Sequence, residues 1–354
     1  PAGLVGLVGG FVFGRLVIKT KPKNMSAVTL IITGVLYALL GMVPSVALYT
    51  IDLMLICFFA SGFGTAACPA FIANWFPRKK GIALGWATMG APISSSAFVA
   101  GFAVLLATKG IRTAFVIFGV LAVIVGIITF FWAKNEPADV NCLPDNMELD
   151  ETVSTELVLD NEKYSIKNIL KNKNTWLIVF GYGFLWMVLV GIISQFVPRM
   201  MSVGYTNAEA LTFMSITSII AIPGSYLWGW LDSKFGTKSI SIVFAFSYVA
   251  ALVLLITSFN IVCVWLGCIF AGLGIGGLLN LLASMIISVF GRDGFMSANS
   301  IIYPLANVVR TLAFILMAML LKVSGGSFTL PYVVFIVIDI IGAGLIMLIP
   351  YKKA

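Results

Sequence analysis

The sequence predicts an all-α membrane protein that crosses a bilayer many times. Sixty per cent of its 354 residues are apolar and only 10% are charged, far from the composition of a soluble domain. Residues 239–291 contain no Asp, Glu, Lys or Arg. Because a water-soluble fold of this size needs charge on its surface, the solvent around most of these side chains must be lipid.

Eleven apolar segments are long enough to cross about 30 Å of hydrocarbon as helices. In lipid each segment must satisfy its own backbone polar groups, and runs of this length fit helices rather than barrel strands. Charged or Pro/Gly-rich breaks separate the segments. The predicted segments are 1–18, 26–47, 51–74, 82–107, 113–133, 175–197, 210–231, 239–258, 261–290, 296–321 and 331–350.

The cations of this chain are concentrated on one side of the predicted membrane. Seventeen of the 22 Lys and Arg residues lie in or next to the connections after the first, third, fifth, seventh, ninth and eleventh segments. The positive-inside rule predicts that these connections are cytoplasmic. The net charge of +8 is therefore a signal of topology, and we expect no nucleic-acid partner.

Two basic loops, 215 positions apart, look like copies of one another. They are Gly14–Lys23 and Gly229–Lys238, and each lies between two apolar segments. A duplicated basic loop between hydrophobic spans indicates two homologous half-domains, which is typical of secondary transporters.

A second pair of matching stretches extends this internal repeat. Residues 57–64 lead to Trp75-Phe76-Pro77-Arg78, and residues 268–274 lead to Val289-Phe290-Gly291-Arg292 at nearly the same distance from the basic loops. The repeat predicts an N-terminal bundle over residues 1–133 and a C-terminal bundle over residues 175–354. Between them, residues 134–174 form a cytoplasmic linker with nine Asp or Glu and five Lys.

The first predicted bundle has five segments, whereas the second has six. No counterpart of 175–197 precedes the first basic loop, and the sequence opens at Pro1 inside an apolar run. We therefore expect an intact protein of twelve helices, eleven of them in this sequence, with both ends in the cytoplasm.

The two basic loops resemble the Gly-x-Leu-x-Asp-x-x-Gly-x-Arg/Lys signature of the major facilitator superfamily. Ile18 stands at the Asp position of the first loop; in the second, Ser233 stands there and Asp232 precedes it. The resemblance implies two pseudo-symmetric helical bundles in the cell membrane and alternating-access transport. It also implies gating roles for the charged residues of the loops: Arg15, Lys19, Lys23, Asp232, Lys234 and Lys238.

Three stretches are similar to the oxalate–formate antiporter and monocarboxylate branch of that superfamily. They are Gly14–Lys23, residues 74–85 and residues 110–115. The similarity implies an antiporter of small organic anions, and a monocarboxylate is the substrate we expect.

Arg310 is the first candidate for binding such an anion. It lies in the middle of segment 296–321, where a charge costs about 2.5–3.5 kcal/mol and needs a partner or a wet cavity. Asn299, Tyr303 and Asn307 precede it at helical spacing, so the four share one face. The alternative is an ion pair with Asp339 that joins the last two segments. Both roles remain open.

Asp339 is the other charged residue that the sequence places at mid-span. It is a candidate proton site or ion-pair partner, and the structural role is favoured because the last helix of this fold normally lies outside the cavity.

Further candidates are expected to line the predicted cavity. Ser95 follows a Pro at mid-span, Tyr182 and Trp186 lie one turn apart, and Asn280 is an isolated polar residue in an apolar segment. For each the alternative is ordinary packing, or a hydroxyl bonded back to its own helix.

Several functional classes find no support in the sequence. It has no histidine, no metal-binding cysteine spacing and no phosphate-binding Gly-rich loop with Lys, so we expect neither an enzyme nor a bound metal or cofactor. Two alternatives keep the fold: an exporter of apolar or cationic compounds, and a sensor that binds its ligand without moving it. We expect a monomer in the bilayer.

Overall fold

The computed structural model describes residues 2–77, 79–146, 164–257 and 260–350. Within these ranges the chain forms α-helices joined by short turns. They are α1 (Ala2–Thr20), α2 (Pro22–Leu40), α3 (Val46–Ser61), α4 (Cys68–Trp75), α5 (Lys80–Thr88), α6 (Gly90–Ile93), α7 (Val99–Trp132), α8 (Ile166–Lys171), α9 (Lys173–Ser202), α10 (Asn207–Phe235), α11 (Thr237–Ile256), α12 (Ile261–Val323) and α13 (Thr329–Met347).

Nine helical stretches among the described residues are long and apolar enough to cross a membrane. Each overlaps one of the predicted segments. The two other predicted segments are also helical, but the apolar part of α1 is shorter, at Val5–Val17, and 82–107 is divided among α5, α6 and the start of α7. The prediction of an all-α membrane protein is confirmed.

Two glycines interrupt the longest helices. Gly110 in α7 has φ 80° and Gly291 in α12 has φ 73°, values that favour a residue without a Cβ. Gly291 separates the span Ile261–Gly291 from the span Gly294–Val323. Residues 261–290 and 296–321 are therefore two separate helical spans, joined by a sharp kink at Gly291, where the backbone is not helical.

The described residues cluster into two compact units. The first unit comprises Pro1–Lys80, Ala97–Lys171 and Phe290–Pro304, and the second comprises Gly81–Ser96, Asn172–Val289 and Leu305–Ala354. The division into bundles 1–133 and 175–354, with 134–174 as a linker, stays a prediction.

The first unit has its core where α1 and α2 meet the helix after α3. Phe13 of α1 packs against Phe58 of α3, with ring centres 5.1 Å apart, and Ala67 and Ala70 are fully buried beside them. Residues Gly62–Ala67 form a π-helical turn between α3 and α4. Such turns widen a helix locally and often occur at functional sites.

In the second unit, α10, α11, α12 and α13 pack around α9. Helix α13 lies against α9 through small residues: a Cβ on Gly342 would be 3.0 Å from the carbonyl oxygen of Gly181. Small residues allow two helix backbones to approach closely in a membrane protein. Helix α9 is consequently the most buried of the candidate spans in the described part of the chain.

Candidate functional site

Arg310 of α12 lies against Trp186 of α9 in the second unit. The guanidinium carbon is 4.8 Å from the centre of the indole ring, a distance at which a cation and an aromatic face attract each other. Trp186 is 5% exposed, and Arg310 is half-buried. The structure thus brings together two candidate residues that lie in separate segments of the sequence.

A glycine allows this contact to form. Gly183 lies one turn before Trp186 on α9, and a Cβ at Gly183 would be 2.9 Å from the Cβ of Val309, the neighbour of Arg310. A larger residue at position 183 would push the two helices apart. The close approach at Gly183 is therefore what lets the guanidinium reach the indole ring.

Asn307 supplies an acceptor one turn before Arg310. Its side-chain oxygen is buried and accepts no hydrogen bond from the residues that the structure describes. Leaving a buried acceptor without a donor costs about 1–3 kcal/mol. A ligand that carries a hydroxyl beside its anionic group would offset that cost.

Asn299 and Tyr303, which precede Asn307 on α12, belong to the first unit. The side-chain nitrogen of Asn299 donates to the backbone oxygen of Thr65 at 3.1 Å, and Thr65 lies in the π-helical turn. Tyr303 lines a narrow cavity at the same place. The other lining residues are Gly10, Gly14, Thr65, Ala66, Asn299, Ser300 and Pro304.

Tyr182 joins two helices. Its side chain is fully buried, and its hydroxyl lies 2.5 Å from the hydroxyl of Ser241 on α11. Because this group already has a protein partner and no exposed surface, the geometry favours packing over a role in lining a cavity. Its assignment as a substrate-binding residue stays a prediction.

Asn280 joins α12 to α10. It is 1% exposed, and its side-chain nitrogen donates to the backbone oxygen of Ser225 at 3.0 Å. Nearby, the indole nitrogen of Trp228 donates to the backbone oxygen of Leu273 at 2.9 Å. These two bonds join α10 to α12, and the assignment of Asn280 as a substrate-binding residue stays a prediction.

Asp339 makes no hydrogen bond to Arg310 in the described part of the chain. The residue is fully buried, and neither of its carboxylate oxygens has a hydrogen-bond partner among the described residues. Asp339 lies on the buried stripe of α13 between Phe335 and Gly342. Since Phe335 packs on Gly191 and Gly342 packs on Gly181, this stripe faces α9. This geometry does not favour the ion pair, and the role of Asp339 stays a prediction.

Asp52 is another buried carboxylate inside a candidate span, and it is absent from the residues predicted above. It belongs to α3 and is 8% exposed, and its Oδ2 accepts no hydrogen bond from the described residues. The signal in the sequence was an acid seven residues into an otherwise apolar helix.

The first basic loop has exposed cations at the junction of α1 and α2. Arg15 and Lys19 are exposed, whereas Lys23 is half-buried. The backbone nitrogen of Lys23 donates to Asn135 Oδ1 at 2.9 Å, and its Nζ lies 5.8 Å from the ring centre of Phe130. Lys23 therefore anchors this loop within the first unit.

The second basic loop contains the buried Asp232. Its Oδ2 accepts a 2.6 Å hydrogen bond from Ser284 of α12. Lys238 Nζ donates to the backbone oxygen of Ile349 at 2.9 Å, and Lys234 lies over the ring of Trp230, 5.1 Å from its centre. The gating roles of the residues in both loops stay predictions.

The side chain of Ser95 lies outside the residues whose placement the structure describes. The backbone around it forms a second π-helical turn, Ser94–Phe98, which begins two residues after Pro92. The helix is therefore irregular just after the Pro that the sequence places at mid-span.

Three curated relatives are transport proteins by name. The chain is 26% identical over 243 residues to the phosphoglycerate transporter protein of Salmonella typhimurium, covering 63% of this chain and 51% of the relative. It is 28% identical over 214 residues to the hexose-6-phosphate:phosphate antiporter of Escherichia coli, covering 55% of this chain and 46% of the relative. It is 30% identical over 146 residues to the allantoate permease of Saccharomyces cerevisiae, covering 38% of this chain and 26% of the relative.

The chain spans about half the length or less of these relatives. None of the three is named as an oxalate or monocarboxylate carrier, so the finer resemblance to that branch stays a prediction.

Solved structures and a family model establish the class of the fold. The fold matches that of the E. coli fucose:proton symporter with a TM-score of 0.71 at 15% identity, over 97% of this chain and 89% of that one. A second structure of that symporter, in the outward conformation, gives a TM-score of 0.66 at 15% identity, over 96% and 89%. The family model that matches residues 2–314 is the Major Facilitator Superfamily. This multi-pass membrane protein belongs to the major facilitator superfamily.

Proposed function

We propose that the protein is a secondary active transporter that moves a small organic anion across the membrane by alternating access. The family supports transport rather than enzymatic chemistry. The sequence has no phosphate-binding loop of the Gly-x₄-Gly-Lys-Ser/Thr type, which favours energy from an ion or counter-substrate gradient over ATP.

The contact between Arg310 and Trp186 is the observation that carries this proposal. It places a permanent positive charge near the middle of the 30-residue span Gly294–Val323. Ionisable residues at such positions are rare and mark substrate or ion pathways. The guanidinium lies over the indole ring, and a planar guanidinium can hold a carboxylate or a phosphate through two parallel hydrogen bonds.

The number of charges favours a monoanion such as a monocarboxylate. Among the described residues, Arg310 is the cation at mid-span in the nine candidate spans, while the others lie nearer to span ends. One guanidinium neutralises one carboxylate. Asn307 adds an acceptor one turn away, which suits a substrate with a hydroxyl near its carboxylate.

A phosphate ester is the second candidate substrate. The names of two relatives, a phosphoglycerate transporter and a hexose-6-phosphate:phosphate antiporter, denote phosphorylated compounds. A guanidinium also binds phosphate well, but a phosphate monoester carries nearly two negative charges at neutral pH and would require a second cation.

Counterflow into proteoliposomes tests the proposal. The full chain is reconstituted, the vesicles are loaded with one unlabelled anion, and uptake of labelled lactate, 3-phosphoglycerate or glucose 6-phosphate is followed. We expect lactate exchange, and we expect Arg310→Gln to abolish it. Exchange of the phosphate esters without lactate would select the second candidate.

A matched control distinguishes loss of the proposed binding site at Arg310 from the loss of any positive charge on the same helix. Lys322→Gln removes an exposed cation at the end of the same helix and should leave exchange unchanged. Normal anion exchange by the Arg310→Gln variant would overturn the assignment. Efflux of a cationic dye without exchange of any anion would instead identify an exporter of cations. Binding of an anion without any flux would identify a sensor.

A further inference from the structure

A groove in the first unit lies outside the residues assigned to substrate binding. Helices α1, α2 and α3 enclose a space of about 700 Å³. The lining residues are Phe13, Leu16, Lys19, Thr20, Lys21, Asn24, Met25, Val28, Thr29, Ile32 and Phe59. Apolar side chains form its walls, and two lysines lie together at the junction of α1 and α2.

The groove opens to the surface of the first unit along its apolar wall. Leu16 is 39% exposed and Val28 is 50% exposed, while Phe13 and Met25 at the base are buried. Helix α2 is one of the candidate membrane spans, and α1 contains the apolar stretch Val5–Val17, so lipid acyl chains surround such helices in a bilayer. An acyl chain has the chemistry to fill such a groove.

The two lysines give one end of the groove a positive charge. Lys19 and Lys21 are exposed, and neither side chain makes a hydrogen bond or an ion pair with the described residues. Lys23, two residues further on, instead contacts Phe130. The sequence contains no Asp or Glu from Pro1 to Ile51, so no carboxylate of α1 or α2 offsets this charge.

Backbone geometry fixes the position of Lys21. Its φ of 67° and ψ of 142° are values that few residues other than glycine adopt, and Pro22 begins α2 directly after it. Backbone strain of this kind often accompanies ligand contacts. Lys21, at this turn, is one of the residues that line the groove.

We propose that this groove binds an anionic phospholipid, with an acyl chain along the apolar wall and the phosphate headgroup on Lys19 and Lys21. Basic pockets between transmembrane helices on the cytoplasmic side are suited to anionic headgroups. The positive-inside rule predicts that side for this loop. The proposal concerns a regulatory or stabilising lipid and does not depend on the identity of the transported substrate.

Binding of a short-chain lipid tests the proposal. The purified full chain in a neutral detergent is titrated with dioctanoyl phosphatidylglycerol, and bound lipid is counted by native mass spectrometry. We expect one tight site. Dioctanoyl phosphatidylcholine, which has the same chains and no net charge, should bind at least about tenfold more weakly, because each lysine near an anionic headgroup contributes about fivefold.

Two variants separate the headgroup site from the chain site. Lys19→Gln with Lys21→Gln should weaken binding of phosphatidylglycerol at least about tenfold and remove the preference over phosphatidylcholine. Val28→Trp, which fills the exposed wall and keeps both lysines, should abolish the tight site. The matched control, Lys167→Gln with Lys171→Gln, removes two exposed lysines of α8 and should bind as the unchanged chain does.

Each contrary result would overturn the proposal. Equal binding of the two lipids would show that charge does not select the occupant. Unchanged binding in the Lys19/Lys21 variant, or in Val28→Trp, would place the lipid elsewhere. Equally weak lipid binding by the α8 control variant would show that net charge alone, and not the groove, determines the affinity. Binding of inorganic phosphate with competition against the lipid would show an anion site without a lipid groove.

Discussion

Gly14 of α1 lies against Ser300 of α12 with no space for a methyl group between the two backbones: a Cβ on Gly14 would overlap the Cβ and Cα of Ser300. The repeat offset of 215 positions relates this pair to Gly229 and Gly85, whose helices also meet without side chains between them. Each unit thus contains a crossing of two helices at a glycine.

Gly14→Ala should therefore destabilise the first unit. Overpacking at a close contact costs about 1–3 kcal/mol, so we expect a lower unfolding temperature in detergent. Gly3→Ala is the matched control, because Gly3 is on the same helix and a methyl group added there would have nothing within 4 Å. Ala in a helix is about 1 kcal/mol more favourable than Gly, so Gly3→Ala should be neutral or stabilising. Equal unfolding temperatures of the two variants would contradict the close crossing.

Trp186→Leu should weaken substrate binding if Arg310 binds the anion. A cation–π contact contributes about 0.5–2 kcal/mol, and without the ring the guanidinium loses this contact. We expect the KM for anion exchange to rise by about three- to tenfold. Trp176→Leu on the same helix is the control, since Trp176 is 40% exposed and stacks on Phe180. An unchanged KM in the Trp186 variant would argue against the site.

Ser284→Ala should destabilise the second unit. It removes the donor of the 2.6 Å bond to Asp232 and leaves a buried carboxylate oxygen with one donor fewer, which costs about 1–3 kcal/mol. Ser288→Ala is the control, because Ser288 makes a longer contact of 3.3 Å with Thr237 and bonds to its own helix. If both variants unfold at the same temperature, the Asp232 bond does not have this role.

Tyr182→Phe separates packing from substrate binding. The change removes the hydrogen bond to Ser241 and should lower the free energy of unfolding by about 1 kcal/mol with no change in KM. Tyr226→Phe, at a residue that is 38% exposed, should alter neither quantity. A raised KM for Tyr182→Phe would instead support the assignment of Tyr182 as a substrate-binding residue.

The sequence was sufficient to predict the spans but not the direction in which their polar residues point. Hydropathy locates a segment such as 331–350, because lipid selects a minimum apolar length. Helix α13, however, is apolar on all sides, so no polar face indicates where Asp339 points. Its surroundings depend on packing at Gly181 and Gly191, which come from another helix.

For Arg310 the polar stripe of α12 did indicate a face. Asn299, Tyr303 and Asn307 at helical spacing predicted that they share one face with Arg310, and the structure places the guanidinium over Trp186. The approach of α9 and α12 at Gly183 could not be predicted, because a single glycine in an apolar run has many explanations. The π-helical turns are likewise invisible to hydropathy, since they change hydrogen bonding and not composition.

The bond from Lys238 to the carbonyl of Ile349 joins positions 111 residues apart. During translation, α11 with Lys238 is synthesised long before Ile349, whose carbonyl oxygen accepts this hydrogen bond. During synthesis the lysine must therefore remain at the membrane surface, solvated by water or lipid headgroups, while α12 and α13 are inserted. The second unit can make this polar contact only when its final span has emerged, so a pause in translation before residue 349 would leave the bond unformed.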